Sequence, residues 1–386
     1  MLQDASHAAT HDSRPGLFSP VTIGAVTLGH RIVMAPLTRS RSTQPGDIPN
    51  DLMRTYYSQR ATEGGLIIGE ATTISPSARG WYGAPGLYSD EQVAGWRAVT
   101  DAIHAKGGRM FAQLWHTGRS SHVAVTGGPQ PVSASVDPGY WQNVSHLTST
   151  PGGWVQPSPH RALETSEIAG IVADYGRAAE RAKAAGFDGA ELHAANGYLV
   201  DQFLQDGSNK RTDAYGGSIE NRTRLLLEIT ETMASIFGAD RTAVRIGPNG
   251  QWNSMGDSNP RALFDHVARE LNRFGLAYLH LIEPRVKGNV VTAEGQAPVA
   301  AEHLRTIFER RIVAAGGFEP DTAAAIVEKG DADLVAFGRH FISNPDLVER
   351  IRKGRQLSRY DRNTFYTFDS RGYTDYPTDE HGGVAA

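Results

Sequence analysis

Cysteine is absent from the 386-residue sequence, and this single absence removes several kinds of site. Without a thiol the chain forms no disulfide, no thiolate metal site and no iron–sulfur cluster, and it has no cysteine nucleophile. A protein without disulfides fits a reducing compartment. We therefore expect a cytoplasmic protein whose chemistry depends on other side chains.

Long apolar runs and an excess of positive charge are also lacking. No segment approaches the roughly 20 consecutive apolar residues of a membrane-spanning helix, and residues 1–16 contain no apolar stretch of the kind found in a secretory signal. The 38 Lys and Arg residues are outnumbered by 42 Asp and Glu residues, which gives a net charge of −4. A nucleic-acid binder normally carries a basic surface. The expected partner is a small molecule, with no nucleic acid and no membrane.

Short apolar runs alternate with longer amphipathic stretches, a pattern that is typical of parallel βαβ units. A GxGxxG fingerprint, which often follows the first strand of an open dinucleotide-binding sheet, is missing. The alternation therefore favours a closed (β/α)8 TIM barrel, an α/β fold. The eight predicted strands are residues 31–36, 65–71, 109–115, 189–194, 242–247, 276–283, 311–316 and 333–338.

Helices are predicted after these strands, at residues 50–63, 89–106, 165–185, 218–237, 259–274, 299–309, 319–329 and 345–353. A hairpin at residues 17–29 is expected to cap the bottom of the barrel. Residues 116–164, after strand three, are rich in Gly, Pro, Ser and Trp and lack helical periodicity, so we interpret this excursion as a lid and side wall at the face that holds active sites. The chain is thus one barrel domain at 17–377, with a flexible tail at 1–16 and a second tail at 378–386.

Catalytic groups of such barrels stand at the C-terminal ends of the strands. The run ELHAANGYLVDQF continues from strand four and places His193, Asn196 and Tyr198 together at its end. Two neutral donors and a phenol are suited to stabilising a developing oxyanion and to delivering a proton. The trio suggests chemistry on a carbonyl-conjugated substrate, although the run also fits an ordinary loop with a half-buried histidine.

Glycine-rich turns follow the last two strands. Gly316 and Gly317 come at the end of strand seven, and Gly338 and Arg339 come at the end of strand eight. Backbone amides at such turns form the phosphate site common in these barrels, and a guanidinium adds a forked contact. The phosphate would belong to a substrate or to a cofactor such as FMN, and tight turns without a ligand are the alternative.

Two further strand-end residues bear on that choice. Gln113 can donate and accept hydrogen bonds at once, as the pyrimidine edge of a flavin requires. Arg245 can stabilise the negative charge of a reduced flavin, with a structural ion pair to Glu70 or Glu191 as an equal alternative. A flavin-free lyase barrel lacks support because no predicted strand interior holds a Schiff-base lysine. The histidines show no paired spacing for a metal, and a non-enzymatic binding barrel is a further alternative.

Seven blocks of the sequence carry a resemblance to one known family. They are HRIVMAPLTRSR, YYSQRATEGGLIIGEAT, FAQLWHTGR, GFDGAELHAANGYLVDQFLQDGSNKRTDAYGGSIENRTR, AAGGF, FGRHFISNPDL and TFYTFDSRGYTDYP. From Leu17 to Pro377 the chain resembles the old yellow enzyme family of FMN-dependent NAD(P)H ene-reductases, of the N-ethylmaleimide reductase and xenobiotic reductase type. The fourth block alone is specific for that family.

The resemblance implies a non-covalently bound FMN over the barrel mouth, reduced by NADPH or NADH. Residues that it assigns to the cofactor are Pro36, Thr38, Ala71, Gln113, Arg245, Gly316, Gly317, Gly338 and Arg339. Residues that it assigns to the walls of the substrate pocket are Trp115, Trp252, Tyr366 and Trp81. His193 and Asn196 are implied to bind the substrate oxygen, a task for which other members use two histidines, and Tyr198 is implied to donate the proton.

The implied activity is reduction of activated C=C bonds in α,β-unsaturated carbonyl, imide and nitro compounds by hydride transfer from flavin N5. Reductive denitration of nitrate esters or reduction of nitroaromatics in the same site is the alternative. The expected partners are small electrophilic alkenes. The family includes monomers and homodimers, and we expect one of these two states.

Overall fold

The computed structural model describes residues 14–287, 290–291 and 299–379. The two predicted tails fall mainly on residues 1–13 and 380–386, which lie outside the described residues. Within the described part, the predicted barrel is observed.

Eight parallel strands form the barrel. They are β1 (Ile32–Met34), β2 (Leu66–Ile68), β3 (Arg109–Trp115), β4 (Gly189–Ala194), β5 (Thr242–Ile246), β6 (Tyr278–Ile282), β7 (Arg311–Ala315) and β8 (Leu334–Phe337). Each strand pairs in parallel with the next one along the chain, and β8 pairs with β1, which closes the ring. All eight predicted strands are confirmed, with ends that differ by a few residues at most.

A helix follows each strand. These helices are α1 (Asp51–Arg60), α2 (Asp90–His104), α3 (Thr165–Ala184), α4 (Ile219–Phe237), α5 (Pro260–Asn272), α6 (Ala301–Leu304), α7 (Pro320–Lys329) and α8 (Leu347–Arg352). The helix predicted at 299–309 is shorter than expected, and beyond Leu304 the backbone turns through mixed i→i+3 and i→i+4 hydrogen bonds. Among the helices of the described residues, none is both long and apolar enough to cross a membrane.

Local sequence signals explain where the helices begin and end. Asn50 and Asn259 each accept a hydrogen bond from the backbone N–H three residues further on, at 3.1 Å. Ser89 and Gln92 form a capping box at the start of α2. Such caps satisfy amides that have no partner inside the helix. After α3, Gly186 adopts a φ of +84°, a conformation that glycine accepts without steric cost.

The barrel interior is closed at its N-terminal end by the predicted hairpin, whose strands are Val21–Ile23 and Val26–Leu28. Its buried side chains pack in one cluster with inward-facing barrel residues such as Val33, Leu66 and Phe111. The alternate residues of the strands face the helices and form a second, larger core. Because this apolar cluster fills the N-terminal end of the barrel, polar side chains are found at the C-terminal end of the strands.

The excursion at 116–164 contains more regular structure than its composition predicts. Its elements are the helices Val123–Thr126 and Pro138–Gln142, the strand pair Val132–Ser133 and Arg161–Ala162, and the hairpin Thr148–Thr150 with Gly153–Val155. Elements of two to five residues are too short to show periodicity in a sequence. The lack of helical periodicity therefore did not exclude regular structure in this segment, which lies beside the barrel mouth as expected.

Short helices span Leu199–Leu204 and Arg339–Ser343, and 3-10 turns span Pro15–Phe18, Pro76–Ala78, Ala239–Arg241, Trp252–Ser254 and Arg362–Thr364. Short strands lie at Thr72–Thr73, which pairs with the end of β3, and at Val286–Lys287 and Val290–Val291, which pair with each other.

Candidate active site

A cavity of about 440 Å³ opens at the C-terminal ends of the barrel strands. All eight strand ends contribute to its wall, because parallel strands present their carboxyl ends at one edge. Every catalytic and cofactor residue assigned from the sequence lines this cavity, as do Trp81, Trp252 and Tyr366. Among the described residues, no group of three or more His, Asp or Glu side chains is arranged to hold a metal ion.

The loop after β4 has a strained conformation that brings its functional side chains together. Asn196 has a φ of +59° and Gly197 a φ of +72°, and asparagine and glycine are the residues that most readily adopt this left-handed region. Asn253 donates to the Asn196 carbonyl at 2.9 Å, and the Gly197 N–H donates to the buried carboxylate of Asp201 at 2.8 Å. The turn is therefore held from both sides, with Tyr198 placed directly before the helix Leu199–Leu204.

His193 and Tyr198 are both held in neutral forms. Burial lowers the pKa of His193 well below its usual value, and the charges of Arg245 and His280 lower that pKa further. Burial also raises the pKa of Tyr198 above its usual value. A neutral imidazole can donate one hydrogen bond, and a neutral phenol keeps a proton to give. The two side chains are suited to polarise and then protonate an uncharged substrate.

Arg245 is a buried cation without a direct counter-charge. It is 9% exposed, and within the part of the chain that is described its guanidinium makes no hydrogen bond and no ion pair. The alternative of a structural ion pair is thus not observed: Glu70 accepts instead from the Arg39 backbone N–H at 3.1 Å and from the Tyr57 hydroxyl at 3.2 Å. Glu191 attracts Arg245 only from beyond contact distance. An unpaired guanidinium on a cavity wall is suited to bind a ligand with developing negative charge.

A buried carboxylate lies deeper in the barrel. Glu191 accepts a hydrogen bond from Gln113 Nε2 at 2.7 Å and pairs with His280 Nδ1 at 2.9 Å. Burial acts to raise the pKa of Glu191, but His280, Arg245 and Gln113 outweigh burial and lower the pKa below its usual value. Sequence reasoning missed this group as a site component. Its signal was the polar pair Glu191 and His193, two residues apart, on the inward side of one strand.

The turns after β7 and β8 leave open backbone at the cavity wall. Gly316 and Gly317 have φ values of +117° and +65°. A Cβ on Gly316 would lie 3.0 Å from Val286, and Gly338 is similarly crowded by Leu37 at 3.1 Å. The positive φ values favour glycine at 316 and 317, and a Cβ on Gly316 or Gly338 would need its neighbour to shift by a few tenths of an ångström. The exposed amides of these turns suit a phosphate.

The residues present fit FMN. The glycine turns provide a place for the phosphate next to Arg339, which also lines the cavity. The unpaired guanidinium of Arg245 suits the region of a flavin that becomes negative on reduction. Thr38 and Gln113 add polar side chains to the same wall.

Of the four residues assigned to the pocket wall, Trp115 lies behind the cavity lining. This side chain is fully buried and does not line the cavity. Its ring packs edge-on against Tyr198, with centroids 4.8 Å apart, and stacks beside His193 at 6.4 Å. Because Trp115 ends β3 next to the β4 loop, it lies behind the two catalytic candidates and supports them.

Trp154 is a wall residue that sequence reasoning missed. It stands on the hairpin of the excursion and is 44% exposed. Its ring lies 5.1 Å from Trp81 and 5.6 Å from Tyr366, and these last two rings are 5.4 Å apart, all three pairs being edge-to-face. These three rings form the aromatic rim of the cavity. No local pattern marks Trp154, because its partners are far away in the sequence.

The C-terminal segment reaches the cavity through two buried arginines. Arg39 donates to the carbonyls of Phe365 at 3.1 Å and Gly372 at 2.7 Å. Arg41 donates to the Phe365 carbonyl as well, at 2.7 Å. Backbone carbonyls therefore satisfy both cations, and this anchoring places Phe365 and Tyr366 in the cavity wall.

Comparison with known proteins shows similarity along almost the whole chain. The model of the NADH:flavin oxidoreductase / NADH oxidase family matches residues 16–358. Flavin oxidoreductase hxnT of Emericella nidulans is 41% identical over 384 residues, covering 94% of this chain and 97% of that protein. 12-oxophytodienoate reductase 7 of Oryza sativa subsp. japonica is 45% identical over 376 residues, covering 94% of each chain.

Solved structures agree with this similarity. Morphinone reductase in complex with tetrahydroNAD superimposes with a TM-score of 0.86 at 45% identity, covering 96% of this chain and 100% of the other. The old yellow enzyme homologue from Zymomonas mobilis superimposes with a TM-score of 0.88 at 42% identity, covering 94% and 99%. From the family match, these relatives and the cavity described above, the chain belongs to the NADH:flavin oxidoreductase / NADH oxidase family and is an FMN-dependent oxidoreductase of the old yellow enzyme type.

Proposed function

We propose that the protein reduces activated C=C bonds of α,β-unsaturated carbonyl, imide and nitro compounds at the expense of NADPH or NADH. The observation that carries the proposal is the convergence of His193, Asn196, Tyr198 and the unpaired Arg245 on one cavity with glycine phosphate turns. When bound there, FMN would supply hydride chemistry, with the nicotinamide as the reductant. The tetrahydroNAD bound to morphinone reductase supports a nicotinamide as the reductant.

His193 and Asn196 would bind the oxygen of the activating group. Because the His193 imidazole is neutral, it donates a hydrogen bond without adding a buried charge. Negative charge grows on the substrate oxygen as the β-carbon accepts hydride, so the donors bind the transition state more strongly than the substrate. Each donor contributes on the order of 3 kcal/mol in comparable oxyanion sites.

Tyr198 would deliver the proton to the α-carbon. Its hydroxyl makes no hydrogen bond to the described residues, and its ring is fixed between Trp115 and His193. A fixed ring with an uncommitted hydroxyl keeps the proton available for the substrate. We propose Tyr198 as the general acid.

The spectrum of the purified holoprotein tests the proposal. Under anaerobic conditions, NADPH or NADH should bleach the visible absorbance band of the bound flavin. Addition of 2-cyclohexenone should then restore this band and form cyclohexanone. A protein that neither retains nor takes up FMN would overturn the cofactor assignment. Restoration by a nitrate ester with release of nitrite, but not by the enone, would replace C=C reduction with reductive denitration.

A further inference from the structure

Glu191 is a fully buried carboxylate for which the proposed reaction has no use. One of its oxygens accepts from Gln113 Nε2 at 2.7 Å, and the other pairs with His280 Nδ1 at 2.9 Å. Gln113 and Glu191 lie side by side in the register of β3 and β4, and His280 comes from β6, two strands further round the barrel. Gln113 also lines the cavity. Glu191 thus connects the barrel interior to a wall residue.

The carboxylate decides which way the Gln113 amide points. An ionised carboxylate accepts hydrogen bonds and donates none, so the edge of the amide that faces Glu191 must be the NH2 group. The amide oxygen Oε1 is then on the other edge. In the described part of the chain this oxygen accepts no hydrogen bond, and it belongs to a residue of the cavity wall. The cavity therefore presents an acceptor at this point.

The surroundings keep Glu191 ionised. The groups that face it are Gln113, His280, Arg245 and Tyr278. Two of these are basic, and Gln113 donates a hydrogen bond, so together they favour the charged form of the carboxylate despite its complete burial. A protonated Glu191 would itself become a donor and would no longer determine the amide orientation.

We propose that Glu191 is a positioning residue that holds the Gln113 amide with its oxygen toward the cavity. The cavity then selects a ligand edge that carries an N–H donor at this point. The isoalloxazine ring of FMN has such a donor in its imide group, at N3. The inference rests on the proposed function, because it takes FMN as the ligand.

Replacing Glu191 by glutamine should reverse the amide. The proposal assigns the His280 proton to Nδ1, where it faces the Glu191 carboxylate. With this tautomer kept in Glu191→Gln, His280 donates to the new amide oxygen, so the new NH2 group faces Gln113. Gln113 must then turn its own oxygen inward and its NH2 group toward the cavity. Two donors meet at the imide, so one buried donor is left without a partner. FMN affinity should fall roughly 10- to 100-fold.

The test compares FMN with 3-methyl-FMN, which has no N–H at N3. Affinities of the apoprotein for both flavins are measured by quenching of flavin fluorescence. The parent should prefer FMN, and Glu191→Gln should reduce this preference at least tenfold. Glu70→Gln is the matched control, because Glu70 is an equally buried carboxylate that contacts Tyr57 and the Arg39 backbone rather than Gln113. Its preference should stay at the parent value.

A double-mutant cycle shows whether Glu191 acts through Gln113. In the Gln113→Met background, Glu191→Gln should change FMN affinity less than twofold, since no amide is left to orient. Equal effects of Glu191→Gln with and without Gln113 would overturn the inference. If Glu191→Gln does not fold, as judged by circular dichroism, Glu191→Asp takes its place, because its shorter side chain also releases the amide.

The outcomes separate this inference from the proposed function. A parent protein that binds neither flavin overturns the proposed function. A parent that prefers FMN, together with a Glu191→Gln variant that keeps the full preference, overturns the role of Glu191 alone.

Discussion

Removal of a single hydroxyl tests the assignment of Tyr198 as the proton donor. Tyr198→Phe keeps the ring, which packs 4.8 Å from Trp115 and 5.1 Å from His193. The hydroxyl makes no hydrogen bond to the described residues, so its loss leaves no unsatisfied partner among them. We therefore expect the free energy of unfolding to change by less than about 1 kcal/mol, as for substitutions that break no named interaction.

The effect on rate should be large and confined to one half of the reaction. A positioned general acid contributes roughly 10²- to 10⁴-fold, equivalent to about 3–5 kcal/mol of activation free energy. Burial raises the pKa of Tyr198 above its usual value, so the phenol keeps its proton over the working pH range and no compensating titration is expected. The rate of enone reduction by the reduced enzyme should fall by that factor, while flavin reduction by NADPH stays within about threefold of the parent.

Stopped-flow absorbance separates the two half-reactions. Tyr175→Phe is the control, because it removes a hydroxyl from another buried tyrosine that does not line the cavity. Its two half-reactions should match those of the parent. Full turnover of 2-cyclohexenone by Tyr198→Phe would refute the assignment, and an equal loss in both half-reactions would point to a disturbed flavin site.

Three further predictions concern stability, the phosphate turn and the cavity rim. Burial raises the pKa of Asp201 from 3.8 to about 7, so the parent loses stability as the pH rises through this window. The stability of Asp201→Asn relative to the parent should therefore rise from about pH 4 to pH 7, by up to on the order of 4 kcal/mol in urea titrations. A stability difference independent of pH would contradict this origin. Gly316→Ala should weaken FMN binding, because its Cβ would crowd the turn. Gly330→Ala, at a residue with a φ of +85° and open space around its Cβ, should lose only stability. Equal FMN affinities of Gly316→Ala and the parent in equilibrium dialysis would exclude a role for the turn. Trp154→Ala should raise the kcat/KM for bicyclic enones relative to that for 2-cyclohexenone by roughly tenfold in competition assays, which is the scale of a modest change in pocket size. An unchanged ratio of the two kcat/KM values would show that Trp154 does not determine specificity.

Much of the cavity lining could be predicted, because a closed parallel barrel brings the carboxyl ends of all its strands together. Each strand runs in the same direction, so the residues at the strand ends meet at one edge whatever their separation in sequence. His193 and Arg245 are next to each other in the register of β4 and β5, although 52 positions separate them in the chain. Recognition of the strand ends was therefore enough to bring His193, the glycine turns and Arg245 to one cavity.

Contacts outside this repeat could not be predicted from local patterns. Trp154 reaches the rim through a hairpin inside an irregular excursion, and the carbonyl of Phe365 reaches Arg39 across 326 residues. Trp115 had the right position in its strand but lies behind Tyr198, because the loop after β4 covers it. Side-chain packing decided each of these outcomes, and no periodicity in the sequence encodes it.

The amino-acid sequence by itself determined the strand and helix alternation, the caps, the glycine turns and the family motifs, since these depend on backbone preferences over a few neighbouring residues. Only the tertiary structure decided the charge states and orientations of the side chains on which the chemistry of the site depends. Arg245 has no ion pair within the part of the chain that the structure describes, and burial and distant charges together lower the pKa of His193 and of Glu191, which favours a neutral imidazole and an ionised carboxylate. Burial and through-space charge depend on the whole packed barrel, and they arise only when the chain has closed around them.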